Sequence, residues 1–566
     1  MTLAVLTAGA AVETARRDRL RDQLRRAGAT RIVEPDTAAD LATVLCAGTA
    51  PVLLVAADLV AHDAVFRHLA TEPGGQAVAL TGAGKRGLRP VIARGMIIGG
   101  AADGPAVFLG ALRLAGTDRA RAAHAVRRAG TDDLDALLER LVADGARVRA
   151  YPLRLLTARR CASGAEVAEA EAELAGIDEE RARLRLAVKE RDDFVATFLV
   201  SSWSPVITRA CARLGFTPSA VTVLSVLCAL AAALGFAQAS RPAMIAGAVL
   251  LYLGFVLDCV DGQVARYTRR FTPLGGWLDT MADRAKEYAV YAGLAAGAVR
   301  LGHDGAWWLA VAAMAAQTVR HATDSWYATL HDTAAPRGRT GGALGRLSDR
   351  VIADGRSPVY WLKRVVVFPI GERWALIGVL AACAGGRAAL LAVLGWGGAA
   401  LLYTLALRGL RSRAMRVSVL ATADPVPARD DGWLARRLPA VTGPLDWLLP
   451  AGLRLLEFSL LIGAGVVHRV PPWLVFALVF AVAMHHYDLT ARAGAGYRPR
   501  WEPGWSGRSL AVAVLGGVAV PAVAAYTLMV LARRVSTTRT RDARLPGAPR
   551  PAGDAEPDLV PGRQAR

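Results

Sequence analysis

Two kinds of hydrophobic pattern divide the chain near residue 215. Before it, short apolar runs alternate with amphipathic stretches: 3–7, 31–34 and Val52–Ala56 read as strands, 13–27 and 38–46 as helices. That alternation predicts an α/β layer on a largely parallel sheet. From 165 to 193 strong helix formers and charged residues follow one another without proline, which predicts a solvated connecting helix. Apolar runs of spanning length then recur at about 219–237, 243–260, 277–299, 306–328, 374–386 with its flanks, and 388–407. Three further candidate spans lie near 447–467, 473–488 and 509–532, the first interrupted by Arg454 and Glu457. Residues 536–566 hold several prolines and little apolar periodicity, so they are expected to be disordered.

Composition sharpens this picture. Of 566 residues, 54% are apolar and 20% charged, which excludes an ordinary cytosolic enzyme and a disordered scaffold alike. The formal charge is +20, and of 68 basic residues only Lys85, Lys189, Lys286 and Lys363 are lysine. No basic patch is interleaved with aromatics, so the charge reports topology and no nucleic-acid partner is expected. Short connections carry one arginine each (Arg241, Arg300, Arg387), whereas the loop 331–372 carries Arg337, Arg339, Arg346, Arg350, Arg356, Lys363 and Arg364. The contrast predicts a multi-pass protein of the cell membrane with that loop and the amino-terminal domain on the cytoplasmic side. Three further spans would carry the arginine-rich tail from Arg533 outside, against the same rule. The start of the chain lacks a basic segment ahead of an apolar run and is expected not to be a signal peptide. Six cysteines show no metal-type spacing and are expected to be buried free thiols.

The chemistry concentrates in residues 257–284, LDCVDGQVARYTRRFTPLGGWLDTMADR. Asp258 and Asp261, then Asp279 and Asp283, fall at i, i+3 and i, i+4 at the ends of two adjacent helices, which stacks each pair on one face. Four converging carboxylates near a bilayer repel one another unless cations neutralise them. All-oxygen ligands suit Mg²⁺, Mn²⁺ or Ca²⁺ rather than zinc. Gly262 and Ala265 leave the helix surface beside them open to a ligand. Arg266, about one turn away, is placed to pair with a phosphate oxygen. The plainer alternative is a buried charge set that organises helix packing, or a cation pathway.

The spacing Asp-x2-Asp-Gly-x2-Ala-Arg-x8-Gly-x3-Asp-x3-Asp, met at Asp258, Asp261, Gly262, Ala265, Arg266, Gly275, Asp279 and Asp283, resembles the signature of the CDP-alcohol phosphotransferase (CDP-alcohol phosphatidyltransferase) family. The resemblance covers about 195–410 and implies a six-helix membrane core. It implies transfer of a substituted phosphate from a CDP-linked donor to an alcohol or polyol-phosphate acceptor, with release of CMP. It implies two divalent ions, Mg²⁺ or Mn²⁺, held by Asp258, Asp261, Asp279 and Asp283, with Asp283 also the base. It further implies a donor site at Gly262, Ala265, Arg266, Gly275 and Thr222, and a homodimer in the lipid bilayer. Upstream, Thr217-Pro218-Ser219 looks like the family's entry into its first helix, with Ser219 where asparagine is usual.

The amino-terminal segment, with Ala4 to Ala10 and Val52 to Asp58, looks like a worn sugar-nucleotidyltransferase fold. Its loop Gly9-Ala10-Ala11-Val12-Glu13 lacks the second glycine and the arginine of that family, which implies a degenerate domain that binds or regulates. If the loop still bound phosphates, Asp58 would be the metal residue. Gly82-Ala83-Gly84-Lys85 is expected to be a surface turn rather than a phosphate loop. The combination resembles the bifunctional enzymes that make a CDP-inositol and transfer it to inositol phosphate. The expected organisation is a multi-domain chain: an α/β domain over 1–160, a charged helix over 161–195, an all-α membrane core over 196–410, a membrane-associated extension over 411–535 and a tail. His485, His486 and Asp488 end an apolar run, and adjacent histidines are expected on different helix faces, anchoring at the interface. The competing class is a catalytically silent membrane scaffold whose soluble domain binds a nucleotide or partner.

Overall fold

The computed structural model describes residues 2–7, 14–93, 95–101, 103–189, 192–334, 342, 345, 351, 357–421, 430, 442–491 and 504–543. Its amino-terminal part holds ten strands: β1 (Thr2–Thr7), β2 (Ala29–Val33), β3 (Val52–Ala56), β4 (Leu59–Ala61), β5 (Ala77–Gly82), β6 (Arg89–Ala93), β7 (Met96–Ala101), β8 (Val107–Leu114), β9 (Val148–Pro152) and β10 (Ala158–Arg160). Eight of them form one sheet in the order β2-β1-β3-β8-β5-β9-β7-β6, and β10 pairs with β4 beside it. The sheet is mixed, not largely parallel. β1 runs parallel to β2 and β3, and β5 to β9, but β8 enters antiparallel between β3 and β5, and β6 and β7 form an antiparallel pair. Strand direction is invisible to a short apolar run, because β3 and β8 are buried along their whole length whichever way they point.

Helices cover both faces of the sheet. Val52, Leu54 and Ala56 pack on one side with α2 (Ala38–Cys46), α4 (Arg119–Ala129) and α5 (Leu134–Ala143). Leu53 and Val55 pack on the other with α1 (Thr14–Arg26) and α3 (Asp63–Ala70). The alternation follows from the two-residue period of a strand. The expected single connecting helix is two, α6 (Gly164–Ala175) and α7 (Glu179–Ala187), broken at Gly176 and Asp178, where the Asp178 side chain caps α7. Nor is it fully solvated: Ala170, Ala182, Leu184 and Ala187 are buried.

After α8 (Ser204–Arg213) come α9 (Pro218–Ala237), α10 (Arg241–Thr268), α11 (Pro273–Arg300), α12 (Ala306–Ala334), α13 (Pro358–Val367), α14 (Ile370–Ala384), α15 (Gly386–Met415), α16 (Leu449–Val467), α17 (Pro472–Ala491), α18 (Gly504–Leu515) and α19 (Ala519–Ala543). Among the described residues, six stretches are long and apolar enough to cross a membrane, a multi-pass pattern: α9, α10, α15, α17, α16 with its preceding turn, and α18 continuing into α19. The pair α13–α14 passes the same test only when taken together across a 69° bend, so part of the expected basic loop 331–372 is helix. Helices α11 and α12 are long enough but less apolar, because they carry Arg284, Lys286, Glu287, Gln317, Arg320 and His321 along their length.

Close approach positions α9 against α11. A Cβ on Gly293 would stand 2.2 Å from the Ala233 carbonyl oxygen, and one on Gly297 2.1 Å from that of Phe236. Only glycine allows these contacts. All six cysteines are free, but Cys46 and Cys383 are exposed, so the expectation that all are buried fails.

Candidate active site

Threonine caps start both helices that lead into the site. Thr217 accepts from the Ala220 amide at 3.2 Å and Pro218 occupies the first turn of α9; Thr272 accepts from the Gly275 amide at 2.9 Å and Pro273 opens α11. Each cap satisfies an orphan donor, and each proline sits where no amide is needed. A Cβ on Gly275 would stand 2.9 Å from the capping Thr272 Oγ1 and 3.7 Å from Ser219 Oγ, so a side chain there would crowd the cap.

Asp258 and Asp261 on α10 and Asp279 on α11 bring carboxylate oxygens within 4.8 Å of one another. Asp261 is buried, Asp258 half-buried and Asp279 exposed. Thr222 Oγ1 donates to Asp261 at 2.6 Å, so this threonine, expected at the donor site, faces a carboxylate. Three oxygens of this kind are the hard ligand set of a divalent cation. Asp283 lies outside that grouping, one turn further along α11.

Sequence reasoning missed Lys286. Its Nζ pairs with Asp258, lies 3.0 Å from Asp283 Oδ1, and lies 3.1 Å from Ser225 Oγ, with the side chain fully buried. The signal was present: one of only four lysines in an arginine-rich chain, three residues after Asp283 on the same helix. It neutralises two of the four carboxylates from inside the helix bundle. Arg266 donates Nε to the Ala187 carbonyl at 2.5 Å, while its guanidinium lies 3.1 Å from where a Cβ on Gly262 would stand. The glycine leaves that guanidinium its place. Ala265 is half-buried beside it.

Behind the carboxylates, Arg373 of α14 donates Nη2 to buried Glu287 at 3.1 Å and forms an ion pair with it, Nε 2.7 Å from Oε1, and Tyr291 donates to the same carboxylate at 2.5 Å. The extension reaches the same helix. Tyr487 OH is 2.8 Å from Tyr288 OH and from His321 Nδ1, and the Arg284 guanidinium lies 5.5 Å from its ring centre.

His485 and His486 are not interfacial anchors. Both are buried, with ligand atoms of Asp430, His485 and His486 within 4.8 Å of one another. His486 Nε2 is 2.7 Å from Glu457 Oε2; Arg508 binds Asp430 and lies 2.8 Å from Glu457, and Arg454 lies 3.7 Å from Asp430. Helix packing puts the residues that interrupt the apolar run in contact with each other. Two carboxylates here face two guanidiniums, so ion pairs already offset the charge of the cluster.

In the α/β domain, buried Asp58 accepts from Arg160 Nε at 2.9 Å, and the same arginine pairs with Asp135. That engages the carboxylate the domain would need for a metal. Gly82 to Lys85 leave β5 as a bend with Ala83 and Lys85 exposed, a surface turn as expected. The loop Gly9 to Glu13, Arg346 and residues 544–566 lie outside the described residues, whereas 536–543, expected to be disordered, continue the helix α19.

Residues 216–349 match the family model of CDP-alcohol phosphatidyltransferase. The chain is 40% identical over 80 residues to the bifunctional IPC transferase and DIPP synthase of Aquifex aeolicus, covering 14% of this chain and 18% of that protein. It is 34% identical over 91 residues to the archaetidylinositol phosphate synthase of Pyrococcus horikoshii, 16% of this chain and 47% of that one. It is 32% identical over 104 residues to the phosphatidylinositol phosphate synthase of Mycobacterium tuberculosis, 18% and 42% respectively. The chain thus spans half the length of these relatives or less. A solved inositol-1-phosphate CTP transferase from T. maritima aligns over 31% of this chain and 78% of that one, at 12% identity and a TM-score of 0.24. The helical segment that carries all four carboxylates and Lys286 is the part of this chain that matches the CDP-alcohol phosphatidyltransferase family.

Proposed function

We propose that this chain is an integral membrane CDP-alcohol phosphotransferase acting on a CDP-linked donor and an inositol-type polyol or polyol-phosphate acceptor. The observation that carries the reading is the convergence of Asp258, Asp261 and Asp279 within 4.8 Å on the facing halves of two consecutive helices, inside the segment that matches the family. Those three carboxylates, with Asp283, would hold Mg²⁺ or Mn²⁺, which supplies charge neutralisation at the donor's pyrophosphate. The acceptor oxygen forms a bond to the phosphorus that bears the donor's alcohol, the bond from that phosphorus to the CMP oxygen breaks, and the acceptor proton goes to Asp283. Lys286 pairs with both Asp283 and Asp258 and offsets their charge while the site awaits substrate. Gly262, Ala265 and Gly275 leave room for the donor, and Arg266 beside Gly262 supports its phosphates. The names of the relatives, archaetidylinositol phosphate and phosphatidylinositol phosphate synthases among them, support the acceptor class. By the arginine bias the site faces the cytoplasm of the cell membrane, and the chain works as a homodimer in the bilayer.

The deciding experiment is product analysis of the purified chain given CDP-diacylglycerol or CDP-inositol with a panel of polyols and polyol phosphates. CMP and a new phosphodiester are expected with one donor and one acceptor class; no CMP with any pair would reject the reading. A second reading, a silent scaffold, is favoured by one observation: Lys286 already supplies an internal cation to two of the carboxylates. It would give stable protein and no CMP.

A further inference from the structure

Where the α/β domain meets the helices, α3, β9 and the chain after it, α7 and the end of α10 line a half-open cavity of about 390 Å³. None of the four carboxylates lines it. Arg149, Arg154, Arg183, Arg266 and Arg269 face it, against a single acidic side chain, Glu72. That carboxylate is already shared, 2.6 Å from Arg149 and 2.6 Å from Arg269. Arg183 gives one N–H to the Tyr267 carbonyl at 3.3 Å, and Arg266 its Nε to Ala187. A guanidinium has five donors, so both retain capacity toward the cavity.

The positive charge is felt by its neighbours. Burial and the charges of Arg269, Arg183 and Arg67 push His68, which lines the cavity, down to about 3. Burial and the charges of Arg183, Arg269 and Arg270 likewise hold Arg67 below the usual guanidinium range. Such crowding is costly unless an anion answers it. The volume exceeds what a bare phosphate fills and falls in the range of small-molecule sites. One wall is apolar, with Leu156 and Phe271, and the Tyr151 side chain adds a polar group.

We propose that this interdomain cavity binds a small organic phosphate monoester, its phosphate on Arg154, Arg183 and Arg266 and its organic part against Leu156 and Phe271. Arg266 joins the cavity to the carboxylate site, because its guanidinium also lies against Gly262.

The test uses the full chain carrying Asp258→Asn and Asp279→Asn, so that failure of the transfer reading and failure of this one are told apart. Titration calorimetry at fixed ionic strength is run with CMP, an inositol monophosphate and inorganic phosphate. One organic phosphate is expected to bind saturably at one site per chain, about tenfold tighter than inorganic phosphate. Adding Arg154→Gln and Arg183→Gln is expected to weaken it by about tenfold or more, and Arg154→Lys with Arg183→Lys by less. If the double glutamine variant fails to fold, Arg183→Gln alone is held to at least a threefold loss. No saturable organic phosphate binding, equal binding in the glutamine variants, or inorganic phosphate binding as tightly as both organic probes would each overturn the proposal.

Discussion

Trp277 Nε1 donates to Asp488 Oδ1 at 2.8 Å, which ties the carboxy-terminal extension to α11 two residues before Asp279. Asp488 is fully buried at the end of α17, next to Tyr487, whose hydroxyl meets Tyr288 and His321. The extension therefore forms one wall of the helix that carries half of the carboxylates. Asp488→Ala should lower stability by about 1–3 kcal/mol, the cost of leaving a buried donor without its acceptor. CMP release should fall with it. Asp488→Asn keeps an acceptor oxygen and should recover most of both. Thermal melts in detergent beside CMP assays check this; an alanine variant indistinguishable from the parent would detach the extension from the site.

If the carboxylates hold a divalent ion, Lys286 should make the site tolerant of losing it. Its ammonium offsets Asp258 and Asp283, so Lys286→Met would leave those two carboxylates facing each other without a cation. The variant is expected to melt well below the parent in chelator and to gain more than the parent on addition of Mn²⁺. Lys286→Arg keeps the charge but not the compact ammonium, and should fall between them. Equal metal-induced shifts in all three proteins would remove Lys286 from the electrostatics of the site.

Much of the site could be read before any coordinates, because its residues are neighbours in sequence. Asp258, Asp261, Asp279 and Asp283 lie on two consecutive helices joined by a short turn, and helical spacing alone puts each pair on one face. Apart from Lys286, what escaped were partners brought in from afar. Asp488 reaches Trp277 across 211 residues, and Arg508 joins Asp430 and Glu457 from a separate helix. Adjacent histidines were expected on different faces, and that rule holds for a lone helix. Here α17 is surrounded, so both faces are inside. Likewise an apolar run tells that β8 is buried but not that it runs antiparallel.

Asp258→Asn and Asp279→Asn should each reduce CMP release by about a hundredfold or more if the carboxylates hold the ions. Neither substitution changes side-chain volume, so size-exclusion profiles should stay close to the parent; Asp279→Asn should also melt close to it, whereas Asp258→Asn takes a partner from buried Lys286 and should melt lower. Excess chelator should abolish turnover of the parent, and Mg²⁺ or Mn²⁺ should restore it. Turnover that persists in chelator would sink the divalent-ion assignment.

Arg269 ends α10 in a left-handed conformation, φ 58°, that side chains rarely adopt. Its guanidinium clasps the end of α3, donating to Thr71 Oγ1 and the His68 carbonyl at 2.9 Å each and to Glu72 at 2.6 Å. Those bonds offset the backbone cost of about 1–2 kcal/mol. Arg269→Ala loses the clasp and keeps the strain, whereas Arg269→Gly loses the clasp and relieves it. Glycine should therefore be the more stable of the two by about 1 kcal/mol. Both should raise hydrogen exchange in α3 and at 71–73. An alanine variant as stable as the glycine one would mean that the helix end relaxes without cost.

His68 gives the α/β domain an acid limit. Burial, then the charges of Arg269, Arg183 and Arg67, hold its imidazole at about 3 in the folded protein against an ordinary 6.5, with the Tyr151 hydroxyl 3.1 Å from Nδ1. Between those values the unfolded chain takes up a proton that the folded chain refuses. Stability from this group is therefore fully present above about pH 6.5 and falls as pH drops toward 3, by up to about 1.4 kcal/mol per unit. His68→Gln keeps a polar partner for Tyr151 and removes the titration. Its melts should show a shallower fall than the parent between about pH 6.5 and 4.5, on the order of 1–2 kcal/mol less over that interval. Parallel pH profiles for the two proteins would mean that His68 takes up its proton in the folded state, and that the arginines around it are screened.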